Sequence, residues 1–371
     1  MKPISIHQLV SGFALGDAIS HEALAIRDLC REAGFPSDIY APADRTAPDA
    51  VADCRCLEDL RADEGDVVIC HYSVQSPTTD VFLNTRARRV MRYHNITPPE
   101  FYGPYDSAMA GQLREARAAL PETARAADAV WAASAFNAAE LTALGIARVT
   151  VFPLIFSSGR FDAQADPAVR ARFAGPMKNI LFVGRIAPNK CVEDLIEAFA
   201  CFSREIEPRS RLIVVGSDRG TPAYFAMLRM LAGEFDLPNV HFERFASPGG
   251  LVACYEAAHV FATASRHEGF CLPLIEAMVK GVPAVARNTG GVSEAMGNAG
   301  VRYDDLPPGG LAEMWARLLA DDRLRSEVLE SQRVRVQEVL RRPVREELFG
   351  HLSEIAEVQI RPKTNELSVI S

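Results

Sequence analysis

Two consecutive doubly wound α/β domains are what the sequence predicts, and three observations carry that expectation. The chain has 371 residues, more than the roughly 100 to 200 of a typical single domain. Short apolar runs alternate with amphipathic stretches of helical length in two separate series, the pattern of mostly parallel sheets covered by helices on both faces. Between the series, Pro153, Ser157-Ser158-Gly159, Asp166-Pro167 and Gly175-Pro176 break every periodicity, as a linker does.

In order along the chain, the first series reads as strands near 3–10, 38–41, 67–70, 89–94, 129–132 and 149–152, with helices near 16–34, 105–126 and 135–144. The second reads as strands near 180–183, 212–215, 240–242, 260–263 and 284–286, with helices near 192–206, 223–234, 249–257 and 274–279. After Pro307-Pro308-Gly309-Gly310, helical stretches run to about 357, broken at Arg342-Pro343 because proline cannot continue a helix. The expected boundaries are therefore a first domain over 1–155, a linker over 156–175, a second domain over 176–343, a last helix over 344–360 and a loose tail over 361–371.

Hydrophobic residues make up 48% of the chain and charged residues 24%, the balance of a soluble globular protein. Net charge is −8, so nucleic acid is not an expected partner. The eight cysteines lack zinc-type paired spacing, and structural thiols in a reducing cytosol are the simpler inference. The N-terminus runs straight into a strand-like segment with no signal-type apolar region, and nothing approaches 18 uninterrupted apolar residues. A cytoplasmic location is the expectation.

The segment from Ser265 to Glu276 is the most informative. It follows the apolar run His259-Val260-Phe261-Ala262 and places Glu268 on a turn, then Gly269, Phe270, Cys271 and Leu272, then Glu276 one turn into a helix near Pro273. One carboxylate can hold a sugar and the other a ribose, with free amides at the helix N-terminus between them to receive phosphates. The spacing alone is not diagnostic, because the same interval separates Glu197 from Glu205 and Glu330 from Glu338 on charged helix faces. Its strand, glycine turn and helix setting distinguishes it.

A second segment, Asn179 to Lys190, reads as a buried-type strand ending at Gly184, followed by Arg185 and Lys190 around the Pro188-Asn189 turn. Arginine brings a planar fork and lysine a movable point charge, a pairing suited to a diphosphate. A solvated loop with two surface cations is the alternative for either residue taken singly.

On these two segments the chain resembles the retaining glycosyltransferases of the GT-B fold, family four, which build bacterial polysaccharides, lipid-linked glycans and sucrose-type products. The resemblance implies two Rossmann-like domains facing a cleft, with the last helix crossing back to the first domain. It implies that Arg185 and Lys190 contact the donor pyrophosphate, Glu268 the transferred sugar and Glu276 the nucleotide ribose. The amides around Phe270, Cys271 and Leu272 would face the sugar and phosphates, and the Asn288-Thr289-Gly290-Gly291 turn would help close the site near the ribose.

Signals in the first domain are less specific. Ser11 to Asp17 follows the first strand and leads into a helix, so Gly16 is a candidate donor contact, with an ordinary connection capped by Asp17 as the alternative. The family's usual adjacent glycines are missing there. His94 closes a strand at the carboxyl end of an open sheet, where it can donate to a phosphate or sugar oxygen. In many family members a histidine here faces the sugar phosphate, which places His94 among the expected catalytic groups with Glu268, Arg185 and Lys190. Arg86, Arg88, Arg89 and Arg92 form a basic run that could meet acidic glycans or anionic lipid heads. A solvated helix end explains that run nearly as well. The Phe101 to Tyr105 loop is a candidate acceptor platform, with core packing the alternative. In the second domain Arg244 and Phe245 end a strand and are candidates for flanking the nucleobase.

The expected activity is hexosyl transfer from a nucleotide-diphosphate sugar, GDP-mannose or a UDP-hexose, to a glycan or lipid-linked glycan acceptor. Peripheral contact with the inner face of a membrane is part of that expectation. No cofactor is expected beyond the co-substrate, and no metal, since the sequence contains no Asp-x-Asp. A nucleotide-sugar epimerase and a non-catalytic nucleotide-sugar-binding subunit are the alternatives.

Overall fold

The computed structural model describes residues 4–156, 158–161, 163–244 and 247–356. The chain divides into two compact units. The first comprises residues up to Ile96, Gln112–Ile155 and the chain from Arg342 onward, and the second comprises Thr97–Gly111 and Phe156–Arg341.

Seven parallel strands build the first unit: β1 Ile6–Val10, β2 Ile39–Ala41, β3 Arg55–Cys56, β4 Val67–Tyr72, β5 Arg88–Tyr93, β6 Ala129–Ala132 and β7 Thr150–Val151. Their order across the sheet is β3-β2-β1-β4-β5-β6-β7. Strand order reverses between β1 and β4, where Gln8 lies beside Ile69 and Val10 beside His71. In open α/β sheets ligands bind beyond the carboxyl ends of the strands at such a reversal. Every residue of β1 and of β4 is buried, so each polar side chain among them must find a partner inside the protein. The helix Val344–Ala356 buries Leu348, Phe349 and Leu352 in this unit's core, with Ile6, Val67, Val90 and Trp131. The remainder of the segment read as a last helix, 357–360, and the tail over 361–371 lie outside the described residues.

Six parallel strands build the second unit: β8 Lys178–Val183, β9 Ser210–Val215, β10 Val240–Glu243, β11 Val260–Thr263, β12 Ala284–Arg287 and β13 Val301–Tyr303, ordered β10-β9-β8-β11-β12-β13. Here the reversal falls between β8 and β11, the two strands that precede the Gly184 to Lys190 loop and the Glu268 turn. Ile180, Phe182, Leu212 and Val214 from the sheet pack with Leu195 and Phe199 of the helix Val192–Cys201 and with Trp315 of the helix Pro308–Ala320. The helix read over 192–206 is α-helical only to Cys201 and closes in a π turn, Phe202–Ile206.

The linker and part of the first domain are placed differently from the sequence reading. Residues 156–175, read as a linker, contain the helix Pro167–Phe173, which is capped by Asp166 accepting from the amides of Ala168 and Val169. Its Phe173 is buried and meets the His241 ring edge-on at 5.6 Å, so the segment is part of the second unit's packing. The start signal, an Asp followed by Pro at the first helical position, was outweighed by the surrounding Gly and Pro. Residues 97–111 fall within 1–155 yet belong to the second unit. Tyr105 packs edge-on against Tyr224 at 5.1 Å, and Tyr102 is buried. These rings are core contacts there, not an open acceptor platform.

Candidate functional site

The Gly184 to Lys190 loop and the Glu268 turn are stitched together by their backbones. β8 ends with the Gly184 amide donating to the Val215 carbonyl at 3.0 Å, and Gly216 passes so close that a Cβ on it would lie 1.8 Å from the Gly184 carbonyl oxygen. Only glycine permits that approach. Farther along, the Asn189 amide group donates to the His267 carbonyl at 3.1 Å, and the Arg266 N–H donates to the Asn189 carbonyl at 3.0 Å. These bonds fix Lys190 opposite Glu268: the ammonium donates to Glu268 Oε2 at 2.7 Å. Burial works against the lysine's charge, but the facing Glu268 carboxylate outweighs it, and the lysine pKa rises above its ordinary value. Lys190 therefore stays a cation. Arg185 is exposed, and its guanidinium donates to the Arg219 carbonyl at 3.3 Å.

Glu268 leads into four residues whose backbone amides are available. Among the described residues, the amides of Gly269, Phe270, Cys271 and Leu272 donate to no protein acceptor. Cys271 adopts the left-handed region, φ 77°, and the helix Leu272–Val279 starts immediately after it with Pro273 in its first turn. A helix N-terminus with free amides favours an anion. Glu276 lies on this helix, buried, with the Tyr255 hydroxyl donating to its Oε2 at 2.8 Å. The Cys271 thiol is driven well above its ordinary pKa by burial, reinforced by Glu268, so it is no nucleophile at neutral pH.

The turn before the short helix Val292–Met296 closes on the Glu268 backbone. The Gly291 amide donates to the Glu268 carbonyl at 2.9 Å, and a Cβ on Gly291 would sit 2.3 Å from the Gly269 carbonyl oxygen. Gly291 itself has an ordinary φ of −79°, so the requirement for glycine is the close approach alone. Gly291→Ala is expected to displace the Glu268 turn and lower nucleoside diphosphate affinity at least about tenfold, since misplacement of about 1 Å is costly in a built site. Calorimetry on the folded variant checks this, and unchanged affinity would separate the turn from the site.

Arg244, a candidate for flanking the nucleobase, is held on one side by an acid. Its Nε and Nη2 fork onto both carboxylate oxygens of the buried Asp218 at 2.9 and 2.6 Å, and its guanidinium lies 4.8 Å from the Phe225 ring centroid. That fork closes the ends of β9 and β10. Phe245 lies outside the described residues.

In the first unit, Gly16 has φ 100° and its amide donates to His21 Nε2 at 3.2 Å, while Asp17 caps the helix Ala18–Glu32 by accepting from the Ser20 amide. The ordinary capped connection describes this loop. His94 is held in a buried polar network that the sequence reading missed. Its Nε2 lies 2.8 Å from His71 Nδ1, His71 Nε2 lies 2.9 Å from Gln8 Oε1, and the Gln8 amide nitrogen donates to the Ala23 carbonyl at 2.8 Å. Beside them, Arg92 forks onto Glu22 at 2.6 and 3.1 Å and also donates to the Phe152 carbonyl. Burial lowers both histidines well below their ordinary pKa; the His94 ring then adds most for His71, and Arg92 adds to the lowering of both. Both are neutral at pH 7.

Glu22, His71 and His94 bring ligand atoms within 4.8 Å of one another, close enough to hold a metal ion. The donor set does not fit one. Both Glu22 oxygens face the Arg92 guanidinium, whose charge repels a cation, and both nitrogens of His71 are engaged. The basic run also changes character: Arg92 is fully buried, and Arg88 donates to the Ile355 carbonyl. Arg86 is the exposed member of the four, with Arg88 and Arg89 half-buried, so the run offers an anionic surface about 1 kcal/mol.

Residues 170–334 match a family model described as Glycosyl transferases group 1. These residues are similar to a group 1 glycosyltransferase domain. The matched stretch includes both loops that place Lys190, Glu268 and Glu276. A D-inositol 3-phosphate glycosyltransferase of Corynebacterium glutamicum is 35% identical over 152 residues, 40% of this chain and 36% of that protein. The chain thus matches about a third of that relative's length. An O-antigen chain mannosyltransferase B of Escherichia coli is 26% identical over 259 residues, 64% of this chain and 63% of its own. Among solved structures, a sucrose-phosphate synthase from Thermosynechococcus elongatus superposes with a TM-score of 0.72 at 20% identity, covering 94% of this chain and 98% of the other. Anabaena HepE in complex with UDP and glucose superposes with a TM-score of 0.74 at 18% identity, covering 95% and 100%. The fold is GT-B. No helix among the described residues is long and apolar enough to cross a membrane.

Proposed function

We propose that the protein transfers a hexosyl unit, with retention and without a metal ion, from a nucleoside diphosphate sugar to a glycan or lipid-linked glycan. The observation that carries this reading is the Lys190–Glu268 pair at 2.7 Å beside four available amides. A cation on one loop facing a carboxylate and free N–H groups on another match a diphosphate joined to a sugar. The amides and Lys190 would receive the phosphate oxygens, with Arg185 adding a second cation where negative charge grows as the glycosidic bond breaks. Glu268, released from Lys190 by that exchange, would accept from the sugar hydroxyls. Glu276 would accept from the ribose, and His94 would meet the transferred sugar.

The names of the similar proteins, with UDP, glucose and mannosyl transfer among them, support a UDP-hexose or GDP-mannose as donor. The acceptor reading rests on the family resemblance and on the O-antigen relative. The membrane-surface part of the expectation no longer draws on the Arg86 to Arg92 run. It is tested by sedimentation with anionic vesicles at low and high salt.

The two glutamates are expected to fail differently. Glu276→Ala should weaken binding of the free nucleoside diphosphate, because a ribose contact exists before and after chemistry. Glu268→Ala should leave that affinity near wild type and lower kcat, because its partner is the moving sugar. Calorimetry beside steady-state kinetics checks both, and a reversed pattern would exchange the assignments.

The experiment that tests the reading is a hydrolysis and binding screen over UDP-, GDP-, ADP- and dTDP-hexoses, with and without chelator. Turnover that survives EDTA supports it. Loss in EDTA restored by Mg²⁺ or Mn²⁺ rejects the metal-free site, and a screen with no binding rejects the function.

A further inference from the structure

We infer that Gln8 and His71 are positioning residues that hold His94 with its proton on Nε2, so that its Nδ1 can only accept and the sugar group it meets is a hydroxyl, not a carboxylate or phosphate. The inference rests on the proposed sugar contact of His94 and adds its polarity.

The direction of each hydrogen bond follows from one fixed point. The Ala23 carbonyl can only accept, so the group 2.8 Å from it on Gln8 is the NH₂, and Gln8 Oε1 faces His71. An amide oxygen can only accept, which puts a proton on His71 Nε2. Buried and neutral, His71 has no second proton, so its Nδ1 is a lone pair. The 2.8 Å contact between His71 Nδ1 and His94 Nε2 then requires the proton to sit on His94 Nε2.

The charged neighbours agree with that polarity. Glu22 Oε2 lies 3.5 Å from His94 Nε2, where it favours an N–H and disfavours a lone pair. Arg92 neutralises Glu22 from the other side, so the carboxylate does not draw a second proton onto the imidazoles. The neutral His94 ring has one nitrogen left, Nδ1, and it carries a lone pair. A sugar hydroxyl can donate to it. A carboxylate or phosphate oxygen would face it acceptor to acceptor, an unpaired arrangement that a site built for a hydroxyl rejects. On this proposal His94 accepts from a sugar hydroxyl, where the sequence reading has it donate to a phosphate or sugar oxygen.

The test uses the full chain labelled with ¹⁵N-histidine. Two-bond ¹H–¹⁵N spectra between pH 6 and 8 are expected to show His71 and His94 neutral with the proton on Nε2, the His94 signals being assigned by their loss in His94→Asn. A His94 proton on Nδ1, or a doubly protonated His94 at pH 7, overturns the inference. Gln8→Leu removes the fixed point and is expected to give mixed tautomers at both rings. The functional arm compares kcat/KM for UDP-glucose with UDP-glucuronate and for GDP-mannose with GDP-mannuronate. The wild type should favour the neutral sugar by at least about tenfold, and in Gln8→Leu the ratio should fall toward one. Equal use of neutral and acidic sugars by the wild type overturns the hydroxyl part. If Gln8→Leu does not fold, the wild-type spectra and ratio still decide. If no nucleotide sugar is bound, the proposed function fails together with the hydroxyl part, while the tautomers are judged on their own.

Discussion

Lys190→Ala is expected to lower turnover at least about tenfold while the chain stays folded. A charge-assisted hydrogen bond is worth about 1.5 to 3 kcal/mol, and each 1.4 kcal/mol of lost transition-state stabilisation is about tenfold in rate. Lys190 donates to Glu268 at 2.7 Å, so its removal also leaves that carboxylate without its counter-ion at the place where a diphosphate must enter. Both consequences oppose the donor. The loop itself should survive, because its backbone is fixed by Asn189 bonded to His267, Arg266 bonded to Asn189, and Gly291 bonded to Glu268. Steady-state kinetics with a thermal melt on the same preparation checks the expectation. Full activity in a folded Lys190→Ala protein would remove the diphosphate from this site.

The parts of the molecule legible in the sequence are those whose environment is uniform. Ile180 to Val183 and Val260 to Thr263 are buried on both faces, so their apolar runs announce central strands. Edge strands give no such signal. Arg55–Cys56 is two exposed residues, and Val301–Tyr303 is three residues with one buried; neither was read as a strand. The helix Pro77–Asn84 was missed for a related reason, eight residues being too few to display a helical face.

The candidate site divides in the same way. The Lys190, Glu268 and Glu276 loops were legible because glycine, proline and charge follow an apolar strand in one short stretch. Gln8, Glu22 and His71 were not. Glu22 lies in a helix of mixed polarity, where a carboxylate reads as a solvated face, and Tyr255 sits in a helix whose apolar residues point all round. One signal was available. His71 and Arg92 interrupt otherwise buried parallel strands, and a polar or charged side chain in such a strand requires a partner from elsewhere in the chain. Read that way, Arg92 calls for a buried acid instead of a basic surface patch.

Arg92→Leu is expected to cost about 3 to 5 kcal/mol of stability, the price of leaving one member of a buried ion pair alone. The guanidinium and the Glu22 carboxylate are both wholly enclosed, with contacts at 2.6 and 3.1 Å, and Arg92 further binds the Phe152 carbonyl and lies 5.1 Å from that ring's centroid. Removing it leaves Glu22 facing His94 at 3.5 Å and His71 at 3.9 Å as the nearest sources of positive charge. The pH dependence should change accordingly. In the wild type both histidines have folded-state pKa values below the ordinary 6.5, so the unfolded chain binds more protons below that value and stability falls as pH drops through it. Without Arg92 a depressing influence on both histidines is gone, burial and the His94 ring still depress His71, and Glu22 pulls His71 upward. The histidines then take up protons in the folded state more readily, and the deficit of Arg92→Leu relative to wild type should be smaller at pH 5.5 than at pH 8. Adding Glu22→Gln removes the stranded charge and should recover much of the loss at pH 8 with little further gain at pH 5.5. Denaturant midpoints of the wild type and both variants at the two pH values decide it. A deficit that does not change with pH, and that Glu22→Gln does not relieve, would mean that lost packing against Phe152, not the carboxylate, sets the cost.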